Sequence, residues 1–343
     1  MHVDSRRSNI ELLRVFAMFL VLVVHADFFS LEDPDKDLLL SKPFLAVGQI
    51  FFESLSIICV NLFVLISGWF GIKATLKGFC NFVFQCLFFL IGSFIFFNYK
   101  DIGDVSFYVE AVKRCFFLSN WDWFIKSYIC LYIFSPVINI FIGNSNKTQF
   151  RNFLICFFLF QTIYSWIANS AIYFQSGYSA LSLIGLYSLA RYIRLYPKKI
   201  VLLDKYLYFG TYVFITIFLT FIGVALLYFD ATYIFGRMFT YVNPLVILSS
   251  LALLLYFAKM ELKSHLINKI GISCFAVFLL HANPDFCNEL YRSIVAGIVC
   301  QNSGFLVLLK LLIFLLAVYF LAILLDQFRL CLWKAISHRL FEA

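Results

Sequence analysis

The stretch NIELLRVFAMFLVLVVHAD, Asn9 to Asp27, decides the fold. It is long enough to cross a bilayer as one helix, which takes about twenty mostly apolar residues. Yet Glu11, Arg14 and His25 lie inside it. A charged side chain at membrane depth costs about 2.5 to 3.5 kcal/mol on insertion scales, so each needs a partner, a cavity or a task. The rest of the chain is of the same apolar kind. Of 343 residues, 63% are hydrophobic, 20% aromatic and 13% charged, against roughly 45 to 50% apolar and about 25% charged in a soluble domain. No water-soluble fold hides that much apolar surface. The composition indicates an all-α polytopic integral membrane protein, and it excludes a disordered chain, a collagen-like repeat and a secreted disulfide scaffold.

Working outward from the first run, about ten apolar stretches are bounded by charges, Pro or Asn. They run approximately over Ile10 to Phe29, Phe44 to Trp69, Phe79 to Asn98, Trp123 to Ile142, Phe153 to Ala168, Tyr178 to Tyr196, Leu207 to Phe229, Val242 to Ala258, Ile270 to Ala282 and Phe305 to Leu325. The sixth is rich in Ser and Gly and the ninth stops at Asn283-Pro284, as expected of helices lining a cavity. With ten spans, most loop cations fall on the side holding both termini, among them Arg6, Arg7, Lys73, Lys147, Arg191 and Lys259. The loop acids Glu32, Asp33, Asp35, Asp37, Asp101 and Asp104 gather opposite. That asymmetry predicts both termini in the cytoplasm. The net charge of +8 is explained the same way, so a nucleic-acid partner is not expected. Residues 1–343 read as one transmembrane bundle with no separate soluble domain. The ten Cys are scattered through apolar runs with no Cys-x-x-Cys pair, so no metal is expected, and only Cys287 and Cys300 share an outer stretch where a disulfide could form.

Polar residues inside the spans point to function. Arg14 and His25 are eleven positions apart, about three helical turns, so they share a face roughly 16 Å apart along the axis. Glu11 sits one turn before Arg14 and can pair with it. Glu53 adds a carboxylate to the second span. It either meets His25 and orients the imidazole as a general base requires, or pairs with another buried cation such as Lys126. Asn61 and Ser67 lie further along that span, and His281 sits near the end of the ninth, where it serves as a structural hydrogen-bonder or a substrate contact. Trp121 and Trp123 flank Asp122 at the interface. They act as belt anchors or as flat surfaces for a sugar. Arg191, Arg194, Lys198 and Lys199 pack four cations into nine residues, satisfying the positive-inside rule and equally suited to holding phosphates.

These residues resemble the acyltransferase-3 family of bacterial membrane O-acyltransferases. Arg14 and His25 match that family's Arg, ten residues, His pattern, preceded by an acid-x-x-Arg element, here Glu11 to Arg14. Asn61 to Trp69 resembles the Asp-x-Phe-Phe-x-x-Ser-Gly-aromatic motif, with Asn61 in place of Asp. Trp121 to Tyr132, Tyr187 to Pro197 and Phe278 to His281 are similar to its later signatures. The resemblance implies an acyl-CoA donor, usually acetyl-CoA, a glycan or lipid-linked sugar as acceptor, and a place in the bacterial inner membrane. It makes His25 the general base, acting on the acceptor hydroxyl directly or carrying the acyl group itself. Arg14, with Asn61 and Ser67, then lines the donor site or polarises the acyl carbonyl, and Arg191, Arg194, Lys198 and Lys199 attract the CoA phosphates. A transporter or flippase for lipid-linked sugars would use the same buried Arg, His and Glu, and would not depend on acyl-CoA.

Overall fold

The computed structural model describes residues 6–169, 172–197 and 203–341, and among them it is helical throughout, without a strand. The main helices are α1 (Ser8–Ala26), α2 (Pro43–Ser56), α3 (Cys59–Phe70), α4 (Leu76–Phe97), α5 (Val105–Cys115), α6 (Trp123–Asn144) and α7 (Lys147–Gln161), followed by α8 (Ala180–Leu195), α9 (Lys205–Tyr228), α10 (Pro244–Ala258), α11 (His265–Ser273), α12 (Phe275–His281), α13 (Arg292–Gln301) and α14 (Phe305–Phe341). Among the described residues, seven helices are long and apolar enough to cross a membrane, or eight if a pair bent by 64° is one span. The chain is therefore a multi-pass membrane protein.

The expected ten spans reduce to that number for local reasons. The helix α8, at 16 residues, and α10, at 15, are too short to pass. Ser179 caps the start of α8, and Asn243 with Pro244 fixes the start of α10. The stretch Ile270 to Ala282 belongs to one arm of the bent pair, which breaks at Asn283-Pro284 where Pro cannot continue the hydrogen-bond ladder. The last span runs on well past Leu325. At 37 residues α14 is about 55 Å long, more than a hydrocarbon core needs.

The helices cluster into two units. The first, residues 1–73 and 127–268, holds α1 to α3 and most of α6 to α10. Here α1 packs on α2, α3 and α10, and α8 lies closely along α3. That closeness depends on Gly68, since a Cβ there would collide with the Tyr187 backbone and the Ala190 methyl, the small-residue device by which helices approach in a membrane. The second span is broken between α2 and α3 at Ile57 and Ile58. Just before the break, the Ser54 and Ser56 hydroxyls donate back to the Ile50 and Phe52 carbonyls, a pattern that bends helices. The second unit, residues 74–126 and 269–343, packs α12 against α4 and α14. Its centre is a buried ion pair in which Arg329 donates to Asp326 at 2.8 and 2.9 Å while Gln85 and Asn81 satisfy the remaining atoms.

Candidate functional site

The helix α1 is unbroken from Ser8 to Ala26, so Arg14 and His25 do share one rigid rod. Both are partly buried. At the Arg14 end, Glu11 is clamped between two guanidinium groups: Arg14 Nη1 donates to both its oxygens at 3.0 and 2.9 Å, and Arg6 Nη1 donates at 2.8 Å. One acid between two arginines leaves a net positive charge there. Arg14 also interacts with Tyr128, whose hydroxyl is 3.1 Å from Ser67 Oγ. Ser67 donates in turn to the Phe63 carbonyl at 3.0 Å.

The ends of α3 and α8 add to this positive region. The Arg194 guanidinium lies 4.9 Å from the centre of the Trp69 ring, and its charged neighbours, Arg7 and Arg191, are both cations. Gly71, at φ +79°, lets Arg191 lie against the chain turn, where a Cβ would meet its guanidinium at 3.1 Å. Two buried N–H donors here, Arg191 Nε and Trp69 Nε1, have no hydrogen-bond partner. Lys198 and Lys199, expected in the same cluster, lie outside the described residues. Behind it the Tyr187 hydroxyl donates to Asn139 Oδ1 at 2.7 Å and accepts from Ile72 N–H at 3.0 Å, pinning the turn after α3.

The His25 end has the opposite character. The imidazole packs against Phe29 at 5.2 Å between ring centres. Asp27 terminates α1 immediately beyond it and is buried. Across from it on α2 lie Gln49 and Glu53, one turn apart and both 5% exposed. The Gln49 amide reaches Asp27 and the Glu32 carbonyl, the latter at 3.3 Å. Glu53 has acids as its charged neighbours, Asp27 and Asp33. Nearby are Cys59 and Tyr241, both buried, and the exposed Tyr178, and Tyr241 is hydrogen-bonded to both of the others. Asn61 is fully buried and donates from Nδ2 to the Tyr241 carbonyl at 3.0 Å. Three buried acceptor atoms of the Asp27 group, Asp27 Oδ2, Gln49 Oε1 and Glu53 Oε2, have no hydrogen-bond partner, and Asn61 Oδ1 is a fourth on the same side.

The remaining sequence candidates fall in the second unit or at its boundary. His281 is fully buried, with Nδ1 bonded to the Val277 carbonyl one turn back and the ring against Tyr291 at 5.4 Å. That is a packed structural histidine, offering no exposed surface to a substrate. Trp121 and Trp123 are half-buried, and Lys126, the other partner considered for Glu53, donates to the Ser119 carbonyl at 2.9 Å. Cys287 and Cys300 are free thiols. Sequence reasoning missed Gln49, Tyr128, Tyr178 and Tyr241, and it gave Asp27 no role. Gln49 carried a signal, a polar residue four positions before Glu53 in an apolar run. The tyrosines carried none.

The model of the family described as an acyltransferase domain, Acyl_transf_3, matches residues 7–327, nearly the whole chain. No curated protein and no solved structure matches it.

Proposed function

The chain belongs to the acyltransferase-3 family, and on that premise we propose that it moves an acetyl group from acetyl-CoA to a hydroxyl of a cell-surface polysaccharide or lipid-linked glycan. The observation that carries this reading is the difference between the orphaned groups found towards the two ends of α1. At the Arg14 end they are N–H donors amid cations, which suits the phosphates of an acyl-CoA. At the His25 end they are oxygen acceptors, which suits a hydroxyl-bearing acceptor. Arg191, Arg194 and Trp69 hold the nucleotide part of the donor. Arg14, with Tyr128 and Ser67 beside it, polarises the thioester carbonyl. His25 takes the proton of the acceptor hydroxyl as its oxygen attacks that carbonyl. The carbonyl carbon–sulfur bond then breaks, and the CoA thiolate leaves with the proton that His25 returns. Both termini lie in the cytoplasm, where acyl-CoA is made, and the membrane is a bacterial inner membrane, in keeping with the cation-rich loops on that side.

The test uses the full chain in liposomes with radiolabelled acetyl-CoA and a crude membrane glycan extract, beside His25→Ala. Transfer of label by the natural protein and its loss in the variant, with equal insertion, is the expected result. Glycan movement across the liposome membrane with no consumption of acetyl-CoA would replace the transferase by a transporter.

A further inference from the structure

We propose that Asn139 is a positioning residue of the donor site: with Tyr187 it fixes the turn after α3, and through that turn it sets Trp69, Arg191 and Arg194 for the nucleotide part of the donor. The identity of that ligand rests on the transferase reading, whereas the clasp itself rests on geometry. At Gly71, φ +79°, the chain leaves α3, so the half-buried Ile72 has no helical ladder to take up its backbone groups. Such groups must find other partners. Both are met by side chains from two other helices. The Ile72 N–H donates to the Tyr187 hydroxyl at 3.0 Å, and the Ile72 carbonyl accepts from Asn139 Nδ2 at 3.0 Å. The Tyr187 hydroxyl donates in turn to Asn139 Oδ1 at 2.7 Å, which closes a ring of three hydrogen bonds. Asparagine carries the required donor and acceptor on one short side chain, which neither aspartate nor leucine does.

The surroundings of Asn139 on α6 give it no other reason to be polar. Ile133, Phe134, Val137 and Ile140 beside it are exposed, as lipid-facing residues of a membrane span are. An amide among them is costly without a task, and the ring supplies one. What the ring holds lies next to the cations. Gly71, the residue before Ile72, lies against the Arg191 guanidinium, and Arg191 is one turn beyond Tyr187 on α8. Trp69, in the last turn of α3, carries the Arg194 guanidinium 4.9 Å from its ring centre. Arg194 is exposed and Arg191 half-buried, so both charges are open to solvent. Without Asn139 the end of α3 is free to shift against α8, and the two guanidinium groups lose the fixed spacing that bidentate recognition of phosphate needs.

The experiment compares the full chain in detergent with Asn139→Leu, Tyr187→Phe and the two combined, at equal amounts of folded protein. It measures calorimetric binding of CoA, and transfer from acetyl-CoA and from acetylpantetheine, which lacks the nucleotide. Each single variant is expected to weaken CoA binding and raise the KM for acetyl-CoA about tenfold with kcat nearly unchanged. The double variant should be no worse than either single, because both substitutions open the same ring. Transfer from acetylpantetheine should not change. CoA binding unaffected by either single variant, losses that multiply in the double, or equal losses with the two donors would overturn the proposal, the last because a merely loosened bundle harms both donors alike. CoA binding that depends on Asn139 without any acetyl transfer would leave it standing and remove the transferase reading instead.

Discussion

Apart from the Glu11 clamp of the first unit, the two units differ in how they treat buried polar groups. In the second, Asp326 and Arg329, 0% and 1% exposed, are saturated by each other and by Gln85 and Asn81. Arg114 likewise bonds Asp285 at 2.6 Å and lies over the Phe94 ring, and among the described residues of this unit only Asp122 keeps an orphan oxygen. In the first unit, Asp27, Gln49, Glu53, Asn61, Trp69 and Arg191 all retain buried polar atoms with no partner. A charge completed by its neighbours holds helices together. One left incomplete costs several kcal/mol, which under the proposed function a ligand offsets.

That contrast is open to direct attack, and the largest effect belongs to the first unit. His25→Ala should lower transfer by about 10²- to 10⁴-fold while the melting midpoint stays put, checked by label transfer and a thermal melt of the same sample. Next in size is the saturated pair. Asp326→Leu alone leaves Arg329 buried and uncompensated and should cost about 3 to 5 kcal/mol of stability, seen as lost folded protein, whereas Asp326→Leu/Arg329→Leu should recover most of it. A double variant as unstable as the single would show that the pair does more than compensate itself. Arg191→Gln should raise the KM for acetyl-CoA about tenfold with kcat nearly unchanged, since it removes one charge-assisted bond to phosphate. The smallest effect is expected at Asp33, an exposed loop acid whose carboxyl is pushed above its usual range by partial desolvation. A raised value means that the fold favours the protonated form. Its penalty therefore grows as pH rises through the ordinary Asp value of about 4 and persists above the folded one. Asp33→Asn should raise the melting midpoint slightly at neutral pH, with the gain fading in acid.

Much of this was legible in the chain itself. The apolar runs and the Arg14 to His25 spacing depend only on local periodicity, and the structure places both residues on one uninterrupted helix. The pairing of Glu11 with Arg14 followed from a one-turn offset in the same way. What was not legible depends on which helices meet. Glu53 could have faced any cation at its depth. Its neighbours are instead Asp27, contributed by the end of α1, and Tyr241, contributed by the turn before α10. His281 looked like a site residue because an imidazole in an apolar run is rare, but the Val277 carbonyl and the Tyr291 ring account for it. The count of ten is not confirmed where helix ends are set by Asn243-Pro244 and Asn283-Pro284 rather than by hydropathy.

The most direct trial of the division is the acetyl transfer rate per folded molecule of Asp326→Leu/Arg329→Leu, set beside that of His25→Ala. The double variant should keep the natural rate in whatever fraction folds, and His25→Ala should fold fully and transfer nothing above background. A folded but inactive double variant, or an active His25→Ala, would contradict the assignment of the chemistry to the first unit.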